Sequence, residues 1–122
     1  MERGIGPRIV MVTRPDGTEL VACERCLVAD TALSRLRGML GRRQIPAGEG
    51  LLLRPANAVH MFFMRFAIDA VFLDRRGYVV DVVPGLRPWR WAARRGAREV
   101  LELREGEAAR RGVVPGLRIT LK

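Results

Sequence analysis

The sequence of 122 residues contains only one lysine, one serine, one histidine and two cysteines. Ser34 is its only serine, and no G-x-S-x-G, P-loop or G-x-G-x-x-G motif is present, so there is no recognisable hydrolase or nucleotide-binding signature. The longest apolar runs, such as 51–53 and 70–73, are far shorter than the roughly 18 residues of a membrane-spanning helix. Residues 1–7 contain no apolar stretch of signal-peptide length. We therefore expect a soluble, cytoplasmic protein without a membrane span.

Apolar residues nevertheless make up 48% of the chain. A chain of this length and composition can bury a hydrophobic core, which argues against intrinsic disorder and against a disulfide-stabilised miniprotein. The chain is also too short for two typical domains. We predict a single globular domain over residues 1–122.

Alternation of residue types, rather than helical periodicity, dominates the chain. Residues 8–13 and 20–28 flank a turn at 14–17, and residues 68–83 alternate on both sides of a turn at 74–77, so two hairpins are predicted. The first segment has apolar residues at consecutive positions, as in a strand buried on both faces. Further strands are predicted at 51–53, 59–64, 99–104 and 117–121, and short helices at 30–41 and 105–111. The pattern indicates a mainly β fold, an antiparallel β-sandwich or barrel with one or two short helices.

The net charge is +9, from 22 basic and 13 acidic residues, and every basic residue except Lys122 is an arginine. This excess attracts phosphate-rich partners, but a GC-rich genome or adaptation to heat explains the preference for arginine over lysine as well as nucleic-acid binding does. Residues 87–98 are more informative, because they hold five arginines, both tryptophans and no acid. Arginine with tryptophan suits stacking on bases or contact with anionic groups, although it also closes loops over a core. The candidate anion-binding residues are Arg87, Trp89, Arg90, Trp91, Arg94 and Arg95.

Two carboxylates, Asp69 and Glu102, lie at strand positions with apolar neighbours. Burying an unpaired charge is costly, so Asp69 requires a partner, for which Arg65 or Arg37 is suitable. One interpretation is a structural ion pair that fixes the register of the sheet. The other is a polar notch that recognises a small ligand, with Arg37, Met64, Arg65, Asp69 and Glu102 as its candidate ligand-binding residues.

The motif Cys23-Glu24-Arg25-Cys26 is an isolated C-x-x-C. A structural zinc site normally needs four ligands, and His60 is the only histidine. Residues three apart on an extended strand point to opposite faces, which also argues against chelation. A structural pair, a redox-active pair and a metal site remain alternatives, and His60 with Met39, Met61 and Met64 would suit a soft ion such as Cu(I). We predict no metal and no cofactor.

Several segments taken together resemble the domain-of-unknown-function family 192, small conserved proteins of bacteria and archaea. They are residues 34–42 (SRLRGMLGR), 63–74 (FMRFAIDAVFLD), and 100–103 (VLEL) with Gly106. The resemblance covers about residues 21–121, and Pro115-Gly116-Leu117 departs from the glycine–aspartate pair that is usual there. It implies a compact, jelly-roll-like β domain, and it carries over no activity, substrate or catalytic residue.

We interpret the chain as an uncharacterised conserved protein. We predict a non-enzymatic binding or accessory domain rather than an enzyme. Its unknown partner would be a small anionic ligand in the polar notch, or another protein. A nucleic-acid-binding module that uses loop 87–98 is the alternative. A small hydrolase is a further alternative, and it would require Asp69, Glu102 and His60 to share one concave site.

Overall fold

The computed structural model describes residues 6–29 and 44–122. Within these ranges the regular structure consists of nine strands and one short helix. They are β1 (Arg8–Thr13), β2 (Glu19–Ala29), β3 (Glu49–Leu53), β4 (Ala58–His60), β5 (Ile68–Leu73), β6 (Val79–Leu86), β7 (Trp91–Ala93), β8 (Glu99–Arg104), α1 (Glu107–Arg110) and β9 (Arg118–Leu121). The predicted mainly β fold is therefore confirmed.

Seven strands form one sheet in the order β6-β5-β8-β3-β2-β1-β9, while β4 and β7 form a separate two-stranded ribbon. The predicted antiparallel arrangement is wrong at one position, because β2 and β3 run parallel. The other strand pairs are antiparallel. Alternation in a sequence determines which side chains share a face, but it carries no information about the direction of the neighbouring strand.

The two edges of the large sheet approach each other at one end only. Tyr78 and Arg118 form an isolated bridge there, and backbone hydrogen bonds join Val79 N to Leu117 O and Ile119 N to Gly77 O, each at 2.8 Å. A closed barrel needs a continuous ladder between its first and last strands, which β6 and β9 lack, so the barrel prediction is wrong. The observed strand order does not show a sandwich or a jelly roll.

Hydrophobic side chains pack on both faces of the large sheet. One cluster contains Ile68, Ala70 and Phe72 of β5, and the other contains Val71 and Leu73 of the same strand. All six residues of β5 are buried, which agrees with its position inside the sheet beside β8. Polar side chains on this strand therefore have to find partners within the protein.

Both predicted hairpins are present, as β1–β2 and β5–β6. The prediction that β1 is buried on both faces is wrong: Val10 and Val12 are fully buried, but Ile9 is 45% exposed. The predicted strand at 59–64 is shorter than expected, since β4 ends at His60, and loop 87–98 contains β7.

The predicted helix at 105–111 is present as the shorter α1, whereas the predicted helix at 30–41 lies outside the described residues. None of the helices in the described ranges has the length and apolar character needed to cross a membrane.

Candidate functional site

Asp69 is a buried structural clamp at the start of β5. Its side chain is buried, with the residue 1% exposed, and its carboxylate accepts three backbone hydrogen bonds. Oδ1 accepts from the N–H of Gly85 at 3.0 Å, and Oδ2 accepts from the N–H groups of Gly106 at 3.0 Å and Ala108 at 2.9 Å. The clamp joins β5 to β6 and to the first turn of α1. Backbone amides thus supply the partner that the sequence analysis assigned to an arginine.

The other residues of the predicted notch are not joined to this carboxylate. Met64 is buried, Arg65 is exposed, and Arg37 lies outside the described residues. The bonded oxygens of Asp69 face backbone amides rather than an open recess. In the described part of the chain, this region is therefore better suited to holding elements together than to binding a ligand.

Glu102 is fully buried on β8. It lies opposite Ala70 of β5, whereas Asp69 lies opposite Leu103. Because neighbouring positions along a strand point to opposite faces, the two carboxylates lie on opposite faces of the sheet. They cannot act together on one substrate.

His60, the third member of the hypothetical hydrolase site, belongs to the ribbon. Its register partner is Trp91, and its ring stacks on Phe62 with the centroids 4.6 Å apart. Its ring therefore belongs to an aromatic cluster, which gives no support to a site shared by Asp69, Glu102 and His60.

The ribbon carries a cluster of exposed aromatic side chains, which we call the aromatic surface. The ring of Phe62 stacks on Trp89 at 5.9 Å, and Phe63 meets the same indole edge-on at 5.0 Å. Trp91 is 67% exposed and Phe63 is 66% exposed. The members of the aromatic surface are His60, Phe62, Phe63, Trp89 and Trp91.

Backbone hydrogen bonds fix the aromatic surface in place. The N–H groups of Trp89 and Met61 donate to Met61 O and Arg90 O, each at 2.8 Å, and extend the pairing of β4 with β7. Phe63 and Trp89 both have a φ of 68°, in the left-handed region that L-residues other than glycine rarely occupy. Two bulky residues thus adopt unfavourable backbone conformations while presenting their rings to solvent.

The predicted anion-binding arginines do not all lie beside these rings, and one of them is already engaged. Arg87 and Arg90 are exposed and flank Trp89 in the sequence, whereas Arg95 is exposed beyond the Ala58–Ala93 pair at the other end of the ribbon. Arg94 instead donates to the carboxylate of Asp81 at 2.6 Å, and its guanidinium lies 5.5 Å from the centre of the Phe72 ring. This hydrogen bond lowers the pKa of Asp81. Arg94 therefore anchors the ribbon to the large sheet.

Sequence reasoning missed Phe62 and Phe63 as candidate residues, because it assigned 59–64 to a buried strand. Two consecutive aromatic residues are also compatible with a strand buried on both faces, as β5 is, so the sequence carried no clear signal that they are exposed. The chain leaves the strand after His60, and both rings are exposed.

The two cysteines lie on the same side of β2, contrary to the expectation for residues three apart. Arg8 is opposite Cys26 and Val10 is opposite Cys23, so three steps along β2 match two steps along β1. This β-bulge adds one residue to the strand and brings both thiols into one core cluster. A hydrogen bond between the thiols lowers the pKa of Cys23, and together with burial it raises the pKa of Cys26.

The surroundings of the cysteines are tightly packed. Cys23 donates to Gly48 O at 3.4 Å, and a Cβ on Gly50 would lie only 3.0 Å from its sulfur. Among the described residues, no three His, Cys, Asp or Glu side chains gather in a way that would hold a metal ion. The packing is that of buried, apolar cysteine side chains.

The architecture, a mixed seven-stranded sheet with a separate two-stranded ribbon, is that of a β-rich protein. The chain belongs to the DUF192 family (uncharacterized ACR, COG1430), whose sequence pattern matches residues 11–121. A UPF0127 protein of Thermococcus sibiricus is 35% identical over 83 residues, which make up 64% of this chain and 53% of that protein. The chain thus spans about half the length of this curated relative.

Two crystal structures have the same fold. A protein of unknown function from Novosphingobium aromaticivorans matches with a TM-score of 0.77 and 24% identity, over 92% of this chain and 83% of that one. A protein from Sinorhizobium meliloti described as a "putative transcription regulator" matches with a TM-score of 0.78 and 23% identity, over 99% and 98%. At these identities the similarity establishes the fold alone.

Proposed function

We propose that this protein is a non-enzymatic binding domain that takes an anionic ligand with a flat ring on the aromatic surface. The observation that carries the proposal is the continuous contact of exposed rings from His60 through Phe62 and Trp89 to Phe63. Rings that stack on one another in solvent present π-faces to a further ring, and a base or other flat ring stacks well on such a platform.

The backbone of the aromatic surface supports the same proposal. A left-handed conformation at a residue other than glycine costs roughly 1–2 kcal/mol. Phe63 and Trp89 both carry this cost, although exposed side chains contribute little to a core. Strained residues cluster at ligand-binding sites, where the surrounding structure maintains them.

The arginines around the rings determine the sign of the ligand's charge. Arg65, Arg87 and Arg90 are exposed and lie within two residues of Phe63 or Trp89 in the sequence. A guanidinium forms paired hydrogen bonds with carboxylate and phosphate groups and also stacks on flat rings. The initial hypothesis of a polar notch at Asp69 is less well supported, since backbone amides occupy its carboxylate.

Calorimetric titration with cyclic adenosine monophosphate and with naphthalenesulfonate tests this proposal, because each probe combines a flat ring with an anionic group and lacks a terminal phosphate. We expect saturable binding that weakens about tenfold or more in the Trp89→Ala and Trp91→Ala variants, since stacking on an aromatic side chain contributes about 1–3 kcal/mol. Trp91 is exposed, so the Trp91→Ala variant should keep its thermal stability. Absence of binding by both probes, or unchanged affinity in both variants, would contradict the proposal.

Single-stranded nucleic acid is a second candidate ligand. It repeats the ring and the anion along one molecule, and several aromatic side chains with a net charge of +9 favour such a polymer. For this candidate, a ten-nucleotide oligomer should bind more tightly than the mononucleotide, and its affinity should fall steeply with salt. Equal affinity for the oligomer and the mononucleotide would favour the small ligand.

A further inference from the structure

We propose that a second site, an arginine groove at one end of the large sheet, binds the phosphoryl group of a phosphate monoester. The groove consists of three adjoining depressions that all share Arg98. It is separate from the aromatic surface, and none of the described residues that line it is aromatic. The arginines among these described residues are Arg54, Arg75, Arg76 and Arg98.

The topology of the sheet brings these arginines together. β3 and β5 both run antiparallel to β8, so their last residues lie beside its first ones: Leu53 is opposite Val100, and Leu73 is opposite Glu99. Arg54 follows β3, Arg75 and Arg76 follow β5, and Arg98 precedes β8. Segments far apart in the sequence therefore place positive charge at one edge.

Three of the four guanidinium groups have no internal partner. Within the described ranges, the side chains of Arg75, Arg76 and Arg98 form neither a hydrogen bond nor an ion pair with another residue. Arg54 forms a long contact of 3.5 Å with Glu99. Like charges held close together repel one another, so the arrangement suits an anion from outside.

The acids of the groove do not neutralise it. Oδ1 of Asp74 accepts the backbone N–H groups of Arg76 at 2.8 Å and Tyr78 at 2.9 Å. Glu99 lies beside Arg54. Among the described lining residues, four arginines thus face two acids, which leaves an excess of positive charge.

The backbone that carries the arginines is held in place. The Asp74 carboxylate fixes turn 74–77, and the N–H of Arg98 donates to Leu73 O at 2.7 Å. The carbonyl of Arg98 accepts from Ala56 N at 2.8 Å. Because these attachment points are fixed, less conformational entropy is lost on binding than in a flexible basic segment.

The chemistry of the lining identifies the class of ligand. Guanidinium groups match the paired oxygens of a phosphate, and several of them around one depression favour a dianion over a monoanion. The absence of aromatic residues from the lining argues against recognition of a ring. A terminal phosphate is therefore the recognised group, whether it belongs to a small metabolite or to the end of a nucleic acid.

Titration of the full chain with glycerol phosphate, which contains no ring, tests the arginine groove. We expect saturable binding at pH 8 that weakens at pH 5, because a phosphate monoester loses its second charge near pH 6. The Arg75→Gln/Arg98→Gln variant should bind about tenfold more weakly or worse, the loss expected for charge-assisted hydrogen bonds. The charge-matched control is Arg25→Gln/Arg104→Gln, whose residues lie near the opposite ends of β3 and β8.

Two results would overturn the proposal: no binding of glycerol phosphate at pH 8, or equal weakening in the groove variant and the control, which would indicate a response to net charge.

The Trp89→Ala variant should bind glycerol phosphate like the unmodified protein, so failure at this site and failure of the aromatic surface are distinguishable. Tighter binding of a 5′-phosphorylated oligonucleotide than of its unphosphorylated form would identify a nucleic-acid end as the source. Equal binding of both would identify a small ester.

Discussion

The start of β5 and the tip of the ribbon differ in which side chains they bury: the first buries a charged group, and the second exposes apolar rings. At the start of β5, a charged group lies in the interior, and Asp69 accepts three hydrogen bonds from the backbone of its own chain. At the tip, large apolar rings lie in solvent although the protein has two hydrophobic clusters available. The comparison shows that a buried polar group has a structural role when its hydrogen-bond partners lie within the protein. An exposed ring on a constrained backbone, by contrast, calls for a partner outside the molecule.

The largest expected effect is the loss of the Asp69 clamp. Asp69→Ala leaves three backbone N–H groups without their acceptor, and we expect the free energy of unfolding to fall by about 3–5 kcal/mol. Urea denaturation measures this change. A loss below about 1 kcal/mol would mean that water or other groups replace the carboxylate, and the contrast between the two regions would disappear.

Asp74→Ala is the matched control for this variant. Asp74 also accepts two backbone N–H groups, but in a turn with access to water. We expect a loss of about 1 kcal/mol, since solvent can satisfy the released donors. If both variants lose the same free energy of unfolding, burial does not increase the contribution of Asp69 to stability.

A second prediction concerns the junction of β6 and β9. Gly77 has a φ of 89°, and a Cβ there would lie 2.6 Å from the carbonyl oxygen of Ile119. Gly77→Ala should therefore destabilise the protein by about 2 kcal/mol or more, which combines the left-handed cost with displacement of the backbone. Gly116→Ala is the control, because Gly116 has a φ of 92° but no atom within 4 Å of the added Cβ. Thermal and urea unfolding should rank the two variants in this order.

The third prediction is a dependence of stability on pH. Hydrogen bonds from Arg110 and Arg111 lower the pKa values of Glu107 and Glu24, respectively. Since the folded pKa values lie below the unfolded ones, the stabilisation is complete above about pH 4.5 and is lost as the pH falls through the folded values. Urea unfolding between pH 7 and pH 3 should show this decline.

Removing a partner should reduce this pH dependence. Arg110→Gln should flatten the decline, whereas Arg25→Gln should leave it unchanged, because Arg25 forms no ion pair among the described residues. If the free energy of unfolding falls equally with pH in both variants, these glutamates are not the cause of the acid sensitivity.

The smallest expected change in stability belongs to the aromatic surface. Phe63→Gly removes an exposed ring and allows the φ of 68° without strain, so the free energy of unfolding should stay within about 0.5 kcal/mol of the original value. The same variant should bind cyclic adenosine monophosphate several-fold more weakly in calorimetric titration. A marked loss of stability would assign the ring to the core and would invalidate the comparison.

The sequence was most informative where local pattern alone decides the structure. The turn at 74–77 and the alternation on both sides of it identified the β5–β6 hairpin. Alternation also placed Asp69 among apolar neighbours, although not its partners, because the amides of Gly85, Gly106 and Ala108 are brought together only by tertiary structure. The same limitation applies to the parallel pairing of β2 with β3 and to the arginine groove.

The bulge in β2 illustrates a different limitation. A one-residue insertion in a strand reverses which side chains point inward, and the spacing of Cys23 and Cys26 was interpreted as though β2 were regular. Similarly, the interpretation of 59–64 as a strand failed because β4 ends at His60 and Phe63 adopts a left-handed conformation. Both errors arise from backbone irregularities that alternation of side chains does not reveal.

The bridge between Tyr78 and Arg118 has a consequence for how the molecule behaves at high concentration. Edge strands with free N–H and C=O groups recruit strands from other molecules, which is a common route to aggregation. Near this bridge, β6 and β9 satisfy part of each other's hydrogen-bonding capacity. Self-association by strand addition should therefore begin at the far halves of these two strands, to which the described part of the chain adds no further strand.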